Sequence, residues 1–248
     1  MSDTPAIAAY HCLKQARIVE LPINLHSILA SFRIALLSYT EFAGRADCTH
    51  DDVVKAFGSL EGGSLVIGNV RTIGYNEEQA PSRTRFTIAH EFGHIALGHD
   101  RSHPSSEEAA NIFARNLLAP PAAFEMWRSP NDKYPIRYAS WYFDISKTCT
   151  QNRMKHLGED IAELKDAGLY DAQREQFEPF IRDNPLGKQT GNVCVNIKGK
   201  QCGVNLPADV RVCPLCGNVT RAYLQAMARQ LDGGPINKPG FVRFGSKL

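Results

Sequence analysis

The sequence predicts an α+β fold, with a small twisted sheet packed on helices, then a helical pair, then a cysteine-rich C-terminal module. Three observations predict it: apolar residues recur at helical spacing, one β-branched stretch is interrupted by glycines, and four of the seven cysteines fall in the last quarter. The 248 residues suffice for one sizeable core and a small appendage. A composition of 43% hydrophobic and 22% charged residues is that of a globular protein, which excludes disordered and fibrous classes.

The N-terminal part reads as helical. We expect helices over residues 5–17 and 24–33, with Asn24 at the start of the second. Residues 51–57, DDVVKAF, read as a short helix because acidic residues in a first turn are favoured by the helix dipole.

A short sheet and a long helix follow. Residues 64–76, SLVIGNVRTIGYN, are rich in β-branched residues and predict two strands joined by a turn at 69–71. A helix then opens at Pro81 and closes at Gly98, the residue type that commonly ends helices. The sheet therefore immediately precedes this helix.

Further helices are predicted over 107–118, where an apolar stripe ends at two prolines, and over 121–128. Residues 137–158 read as a helical pair, in which Asp144 or Ser146 caps the second helix and Gly158 ends it. The turn-rich stretch 183–192, DNPLGKQTGN, predicts a domain boundary.

The long helix contains the motif H-E-x-x-H. His90 and His94 are one turn apart, so their Cβ atoms lie about 5–6 Å apart on one face and their imidazoles can converge on one Zn²⁺. Glu91 lies about 100° around the helix from His90, where it misses the metal but reaches a water bound to it. A carboxylate beside such a water can take its proton during attack on a carbonyl. The pattern predicts metal-assisted peptide hydrolysis, and the alternative is a chance match on a buried helix.

Gly93 lies inside the same helix, although glycine costs about 1 kcal/mol there relative to alanine. Something is therefore expected to approach the backbone closely at this point. The two candidates are the neighbouring strand and the substrate.

At this point the sequence resembles a known family. The blocks TRFTIAHEFGHIALGH and EEAANIFARNLLAP are similar to the ImmA/IrrE family of zinc metallopeptidases. The likeness extends back through LPINLHSILASF and SLVIGNV and forward to FDISKTCTQNRMKHLG, over about residues 15–160. The resemblance implies a compact α+β zincin-like fold. It also implies a substrate class, because the characterised members cut helix-turn-helix transcriptional repressors and thereby switch on mobile elements or stress responses.

The resemblance also implies the third ligand of a catalytic zinc. The family pattern E-x-x-A-N/D maps onto residues 107–111, so that Glu107 is the ligand. A shift of one position in the alignment would exchange it with Glu108. Asn111, one turn after Glu107, is expected to hydrogen-bond a ligating imidazole.

Four other residues near the motif are candidates for lesser roles. His99 and His103 could be a spare ligand or an oxyanion donor, but we expect them to be solvent-exposed bystanders. Arg83 and Arg85, which precede the motif, are candidates for orienting substrate.

The helical pair has three possible roles. Its second helix carries Arg153, Lys155 and His156, so it could read DNA as a helix-turn-helix. The resemblance instead places the segment beside the protease core, helping to bind substrate. A packed pair with a solvated basic face is the third possibility.

The C-terminal stretch 185–248 is basic, with nine Lys/Arg against two Asp/Glu, whereas the remainder has 19 basic and 24 acidic residues. This excess of positive charge suggests that the stretch binds a partner of its own, either nucleic acid or an acidic protein surface. The alternative is that it serves only solubility. Four cysteines in this stretch predict a structural zinc in a ribbon-like module, and free thiols are the alternative. They are Cys194, Cys202, Cys213 and Cys216.

These predictions divide the chain into a zincin-like core (1–130), a helical, helix-turn-helix-like subdomain (131–183) and a zinc-ribbon-like module (184–248). Without a secretory signal or membrane span, we expect a cytoplasmic protein. The expected function is zinc-dependent cleavage of a specific intracellular protein, foremost a repressor. The alternatives are a DNA-binding regulator or sensor with a degenerate core, and a toxin protease of a two-gene system.

Overall fold

The structure, a computed structural model, describes residues 3–99, 104–127, 135–183, 212–213 and 219–220. The chain divides into two compact units, Met1–Asp183 and Asn184–Leu248. The first unit mixes helices with a small sheet, so the predicted α+β class is confirmed. None of the helices among the described residues is long and apolar enough to cross a membrane.

Eleven helices and three strands lie in the described part of the first unit. The helices are α1 (Pro5–Gln15), α2 (Leu25–Ser31), α3 (Tyr39–Ala46), α4 (His50–Phe57), α5 (Pro81–Ala96), α6 (Pro104–Leu118), α7 (Pro121–Trp127), α8 (Pro135–Tyr142), α9 (Lys147–Lys155), α10 (Leu157–Asp166) and α11 (Tyr170–Asp183). The strands are β1 (Ala35–Ser38), β2 (Gly62–Ile67) and β3 (Val70–Tyr75).

The sheet has the strand order β1-β3-β2. β3 is central and pairs in parallel with β1 and antiparallel with β2, so that Ile73 lies opposite both Leu36 and Ser64. Ile73 is fully buried. β2 forms one edge of this sheet and packs on α5, which places an edge strand directly beside the H-E-x-x-H helix.

Two helices begin at capping boxes. The side chain of Ser38 accepts a hydrogen bond from the backbone N–H of Glu41, and the Glu41 carboxylate accepts one from the backbone N–H of Ser38. Thr49 and Asp52 repeat this arrangement at α4. Each box satisfies two backbone donors that a helix N-terminus otherwise leaves unpaired, which fixes where the helix begins.

The helices α5 and α6 approach very closely. Phe92 on α5 and Phe113 on α6 are both fully buried and meet edge-to-face, with ring centroids 5.4 Å apart. A Cβ added to Gly93 would lie 3.0 Å from Cδ1 of Phe113 and 3.3 Å from Cα of Ala110. The expectation that a strand or the substrate approaches Gly93 is therefore wrong, because the close neighbour is α6.

The helical pair differs from prediction at its C-terminal end. Ser146 caps α9 by accepting a hydrogen bond from the N–H of Cys149. Gly158 does not end this helix, because α9 ends at Lys155 and Gly158 lies within α10. A glycine with open space around it and ordinary φ carries no stop signal of its own, and the chain simply begins a new helix.

Arg153 is not on a solvated face. Its side chain is fully buried and donates to Asn116 Oδ1 at 3.0 Å and to the carboxylate of Asp160. Arg115 also binds Asp160, through two hydrogen bonds of 3.2 Å. This buried network joins α6, α9 and α10, so Arg153 is unavailable to DNA and does not belong to a solvated basic face.

In the second unit, Val212 and Val219 form an antiparallel bridge on either side of residues 213–218. Cys213 is buried. Cys194, Cys202 and Cys216 lie outside the described residues. The four-cysteine zinc site therefore stays a prediction.

Candidate metal centre

Three side chains from α5 and α6 point at one spot. Nε2 of His90 lies 3.1 Å from Nε2 of His94 and 3.2 Å from Oε2 of Glu107, and Nε2 of His94 lies 3.4 Å from Oε1 of Glu107. His90 and His94 extend from the same face of α5, and Glu107 reaches them from the first turn of α6. Within the described residues, these three form the group whose ligand atoms lie close enough to hold one ion.

The distances fit zinc. Nitrogen and oxygen ligands lie about 2.0–2.2 Å from Zn²⁺ in tetrahedral sites, so two such ligands should be about 3.3–3.6 Å from each other. The three separations observed, 3.1, 3.2 and 3.4 Å, are close to that value. Two imidazoles and one carboxylate are also the ligand set of open, catalytic zinc sites.

The outer nitrogens of both imidazoles have partners. Nδ1 of His90 lies 3.0 Å from Oδ1 of Asn111, and Nδ1 of His94 lies 3.0 Å from Nδ1 of His99. A neutral imidazole that donates from Nδ1 has only a lone pair on Nε2. When both rings carry their proton on Nδ1, the two Nε2 lone pairs and the Glu107 carboxylate face one another as three acceptor groups, which is the donor set that a metal ion needs. The donor set therefore fits a bound metal ion.

Electrostatics favour ligation by His94. Burial and the neighbouring His90 lower the pKa of His94, while the Glu107 carboxylate raises it and His99 lowers it. The net shift is downward, so the imidazole is neutral near pH 7. A neutral imidazole has the free lone pair that a metal ligand requires.

Glu91 lies beside this group but is not among its ligands. Burial raises the pKa of its carboxyl group; His90 and a hydrogen bond with Ser64 lower it, and Glu107 raises it again. The net direction is upward, which brings the group nearer to neutral pH, where a general acid–base residue works best. Ser64 lies in the edge strand β2, so its hydrogen bond with Glu91 ties this carboxylate to the sheet.

The site opens into a cleft of about 520 Å³. Its walls come from α5, from α6, and from the loop and strand that run from α4 into β2. The lining residues are Phe57, Gly58, Ser59, Glu61, Gly62, Gly63, Ser64, Phe86, Thr87, His90, Glu91, His94, His99, Glu107 and Asn111.

Glycines let the edge strand approach the two helices on either side of the cleft. A Cβ on Gly62 would lie 2.5 Å from Cγ2 of Thr87 on α5. A Cβ on Gly63 would lie 2.7 Å from the backbone oxygen of Phe57. Glycine at both positions therefore allows the strand to lie this close to α5 and to the end of α4.

Glu107 and Glu108 are separated clearly by the geometry. The Glu107 carboxylate contacts both imidazoles, whereas Glu108 is an exposed side chain outside the group. Asn111 contacts His90 from one turn further along α6. The structure thus brings His90, His94, Glu107 and Asn111 together, with Glu91 alongside.

The other candidate residues near the motif have different outcomes. His99 is no solvent-exposed bystander, because it contacts His94, while His103 lies outside the described residues. Arg83 pairs with Glu61, a cleft residue, and Arg85 donates to the backbone oxygen of Ile23 on another side of α5, away from the metal-binding group. The sequence does contain a signal for the position of His99. It directly follows Gly98, and the residue after a helix-ending glycine folds back on the last turn of the helix.

One family matches the sequence over residues 32–155, the family described as Peptidase_M78, IrrE N-terminal-like domain. Among curated proteins, none matches the chain. The matched stretch includes the sheet, the H-E-x-x-H helix and all of α6, which are the elements that build the metal centre. Since the match covers half of the chain, this protein belongs to the Peptidase_M78 family of IrrE N-terminal-like domains.

Proposed function

We propose that this protein is a zinc-dependent endopeptidase that hydrolyses a peptide bond in a specific protein, foremost a helix-turn-helix transcriptional repressor. Cleavage would derepress genes of a mobile element or a stress response. Family membership suggests a zincin-like metallopeptidase. The choice of a repressor as substrate rests on the resemblance to the characterised ImmA/IrrE proteins.

The observation that carries the proposal is the position of Glu91. Binding a metal ion requires only His90, His94 and Glu107, whose ligand atoms converge without Glu91. Burying a fourth ionisable group beside them costs free energy that metal binding alone does not require. A carboxylate held by Ser64 with its pKa raised by burial is suited to accept and return a proton.

When bound, Zn²⁺ would polarise the scissile carbonyl and lower the pKa of a coordinated water toward about 7. His90, His94 and Glu107 would hold the ion. The Glu91 carboxylate would accept the proton of the attacking water and return it to the leaving amine. Asn111 and Ser64 would keep His90 and Glu91 oriented throughout.

The substrate backbone has a matching surface in β2. Among the described residues this strand pairs with β3 alone, so one edge keeps unpaired backbone groups. Its first residues, Gly62–Ser64, line the cleft. An extended peptide can add to such an edge through main-chain hydrogen bonds, which would place its scissile bond beside Glu91.

The test is cleavage of a repressor by purified protein. Any helix-turn-helix repressor encoded beside the gene is incubated with the zinc-loaded protein, and fragments are identified by mass spectrometry. We expect the wild type to cut at one position and Glu91→Gln to bind zinc equally well but to lose cleavage by at least about 100-fold.

The matched control is Glu108→Gln, which removes the same charge from an exposed position on α6. It should cleave like the wild type. Cleavage by Glu91→Gln at the wild-type rate would refute the mechanism. If the wild type instead binds zinc but cleaves neither a neighbouring repressor nor any other protein offered, that result would favour a sensor with a degenerate peptidase core.

A further inference from the structure

His99 is fixed by the way α5 ends. Gly98 adopts a left-handed conformation with φ 70°, and its N–H donates to the carbonyl oxygen of Ile95 at 3.3 Å. The N–H of His99 then donates to the carbonyl oxygen of His94 at 2.9 Å. These two bonds form a Schellman motif, in which the second residue beyond the helix returns to the last turn. The backbone alone therefore brings His99 back to the metal-ligating His94.

The side chain of His99 occupies the place that a hydrophobic contact usually takes in this motif. Its Nδ1 lies 3.0 Å from Nδ1 of His94, and the two rings meet at 66° with centroids 5.1 Å apart. Nε2 of His94 points the other way, toward His90 and Glu107. His99 thus contacts His94 from behind and is not one of the three converging ligands.

The two ligating imidazoles need the same kind of support. A histidine that binds metal through Nε2 carries its proton on Nδ1, and a partner that accepts this proton fixes the tautomer and the ring orientation. For His90 the acceptor is the amide oxygen of Asn111. The atom in the corresponding place behind His94 is Nδ1 of His99.

We propose that His99 is a positioning residue for the metal centre: its Nδ1 accepts the Nδ1–H of His94 and thereby orients His94 for zinc. His99 then carries its own proton on Nε2. The inference rests on the proposed function, because it requires that the three converging side chains bind zinc.

Two substitutions separate the hydrogen bond from the packing. His99→Leu removes the acceptor but keeps an apolar contact that suits a Schellman motif. His99→Asn places an amide oxygen where Nδ1 of histidine lies, as Asn111 does behind His90. Both leave the backbone bonds of Gly98 and His99 intact. His26→Ala is the control, because His26 is an exposed histidine on α2 outside the cleft.

The measurement is the dissociation constant for zinc at this centre in the full chain, obtained by competition with a chelator after subtracting the zinc that a His90→Ala variant still binds at the predicted cysteine site. We expect His99→Leu to bind zinc about 10–100-fold more weakly, and His99→Asn to stay within about threefold of the wild type. In the zinc-loaded wild type, the Nδ1–H proton of His94 should exchange slowly with water in NMR spectra. It should exchange fast in His99→Leu and slowly again in His99→Asn.

Equal zinc affinity in His99→Leu and the wild type would overturn the proposal while leaving the peptidase assignment intact. Equally weak binding by the leucine and asparagine variants would also overturn it, because the acceptor would then be irrelevant. Failure of the wild type to bind more zinc than His90→Ala would refute the metal centre itself, and the proposed function with it. Should His99→Leu fail to fold, His99→Ala provides the same loss of acceptor.

Discussion

Replacing Gly93 with alanine tests whether the close approach of α5 and α6 builds the metal centre. The added Cβ would lie 3.0 Å from Cδ1 of Phe113 and 3.3 Å from both Cα and the backbone oxygen of Ala110. Carbon atoms pack best at about 3.5–4.0 Å, so the contacts fall short by several tenths of an ångström. The Phe113 ring can rotate, but the Ala110 backbone cannot move without moving α6.

Two opposing effects set the magnitude. Alanine is favoured over glycine inside a helix by about 1 kcal/mol. Overpacking a tight core costs about 1–3 kcal/mol. We therefore expect Gly93→Ala to lower the free energy of unfolding of the metal-free protein by up to about 2 kcal/mol. Ala110 lies between Glu107 and Asn111 on α6, so a shift of its backbone also displaces both side chains from His90.

The assay pairs urea unfolding of the metal-free protein with a zinc competition titration. Gly93→Ala should bind zinc about tenfold more weakly, which corresponds to about 1.4 kcal/mol. Gly44→Ala is the control, because Gly44 lies inside α3 with nothing within 4 Å of an added Cβ. It should stabilise the protein by about 0.5–1 kcal/mol and leave zinc affinity unchanged. Equal stabilisation by both substitutions, with unchanged zinc affinity, would refute the reasoning.

The other predictions concern the third ligand and the buried network. Glu107→Gln should weaken zinc binding by more than about 100-fold in the same titration, whereas Glu108→Gln should not change it, since only the first contacts the imidazoles. The reverse order would show that α6 is rotated by one residue. Arg153→Met should lower the free energy of unfolding by about 3 kcal/mol in urea, because it leaves the buried Asp160 with one cation fewer. Lys155→Met, an exposed change on the same helix, should have little effect, and equal stability of both variants would contradict a structural role for the network.

The parts of the molecule that follow from local rules were predictable. The helix around His90 and His94 agrees with its prediction at both ends, because Pro81 and Gly98 act through their own backbone geometry. The ligand pair follows from the four-residue spacing alone. Glu107 required the family resemblance, since no local rule distinguishes it from the acidic residue beside it.

Other parts depend on tertiary context. The strand β1 is four residues long and is defined by parallel pairing with β3, a partner more than thirty residues later. The helix α3 is absent from the prediction, although Ser38 and Glu41 form the S-x-x-E pattern that marks a helix start. The burial of Arg153 could not be predicted, because its carboxylate partner and Asn116 come from different helices.

The metal centre is organised by contacts that do not involve a metal. Glu107 and Asn111 reach the imidazoles because α6 can approach α5 at Gly93, and the far end of α6 is tied by Arg115 to Asp160. His90 is oriented by Asn111 on α6, whereas His94 is contacted by His99, the residue that follows the glycine at the end of its own helix. Contacts on the Nδ1 atoms restrict how the two rings can turn, so less ordering is left for a bound ion to impose and less affinity is lost. Glu91 is not one of the three converging groups, and its hydrogen bond comes from Ser64 in β2, which leaves its carboxylate available for the proton transfer proposed above.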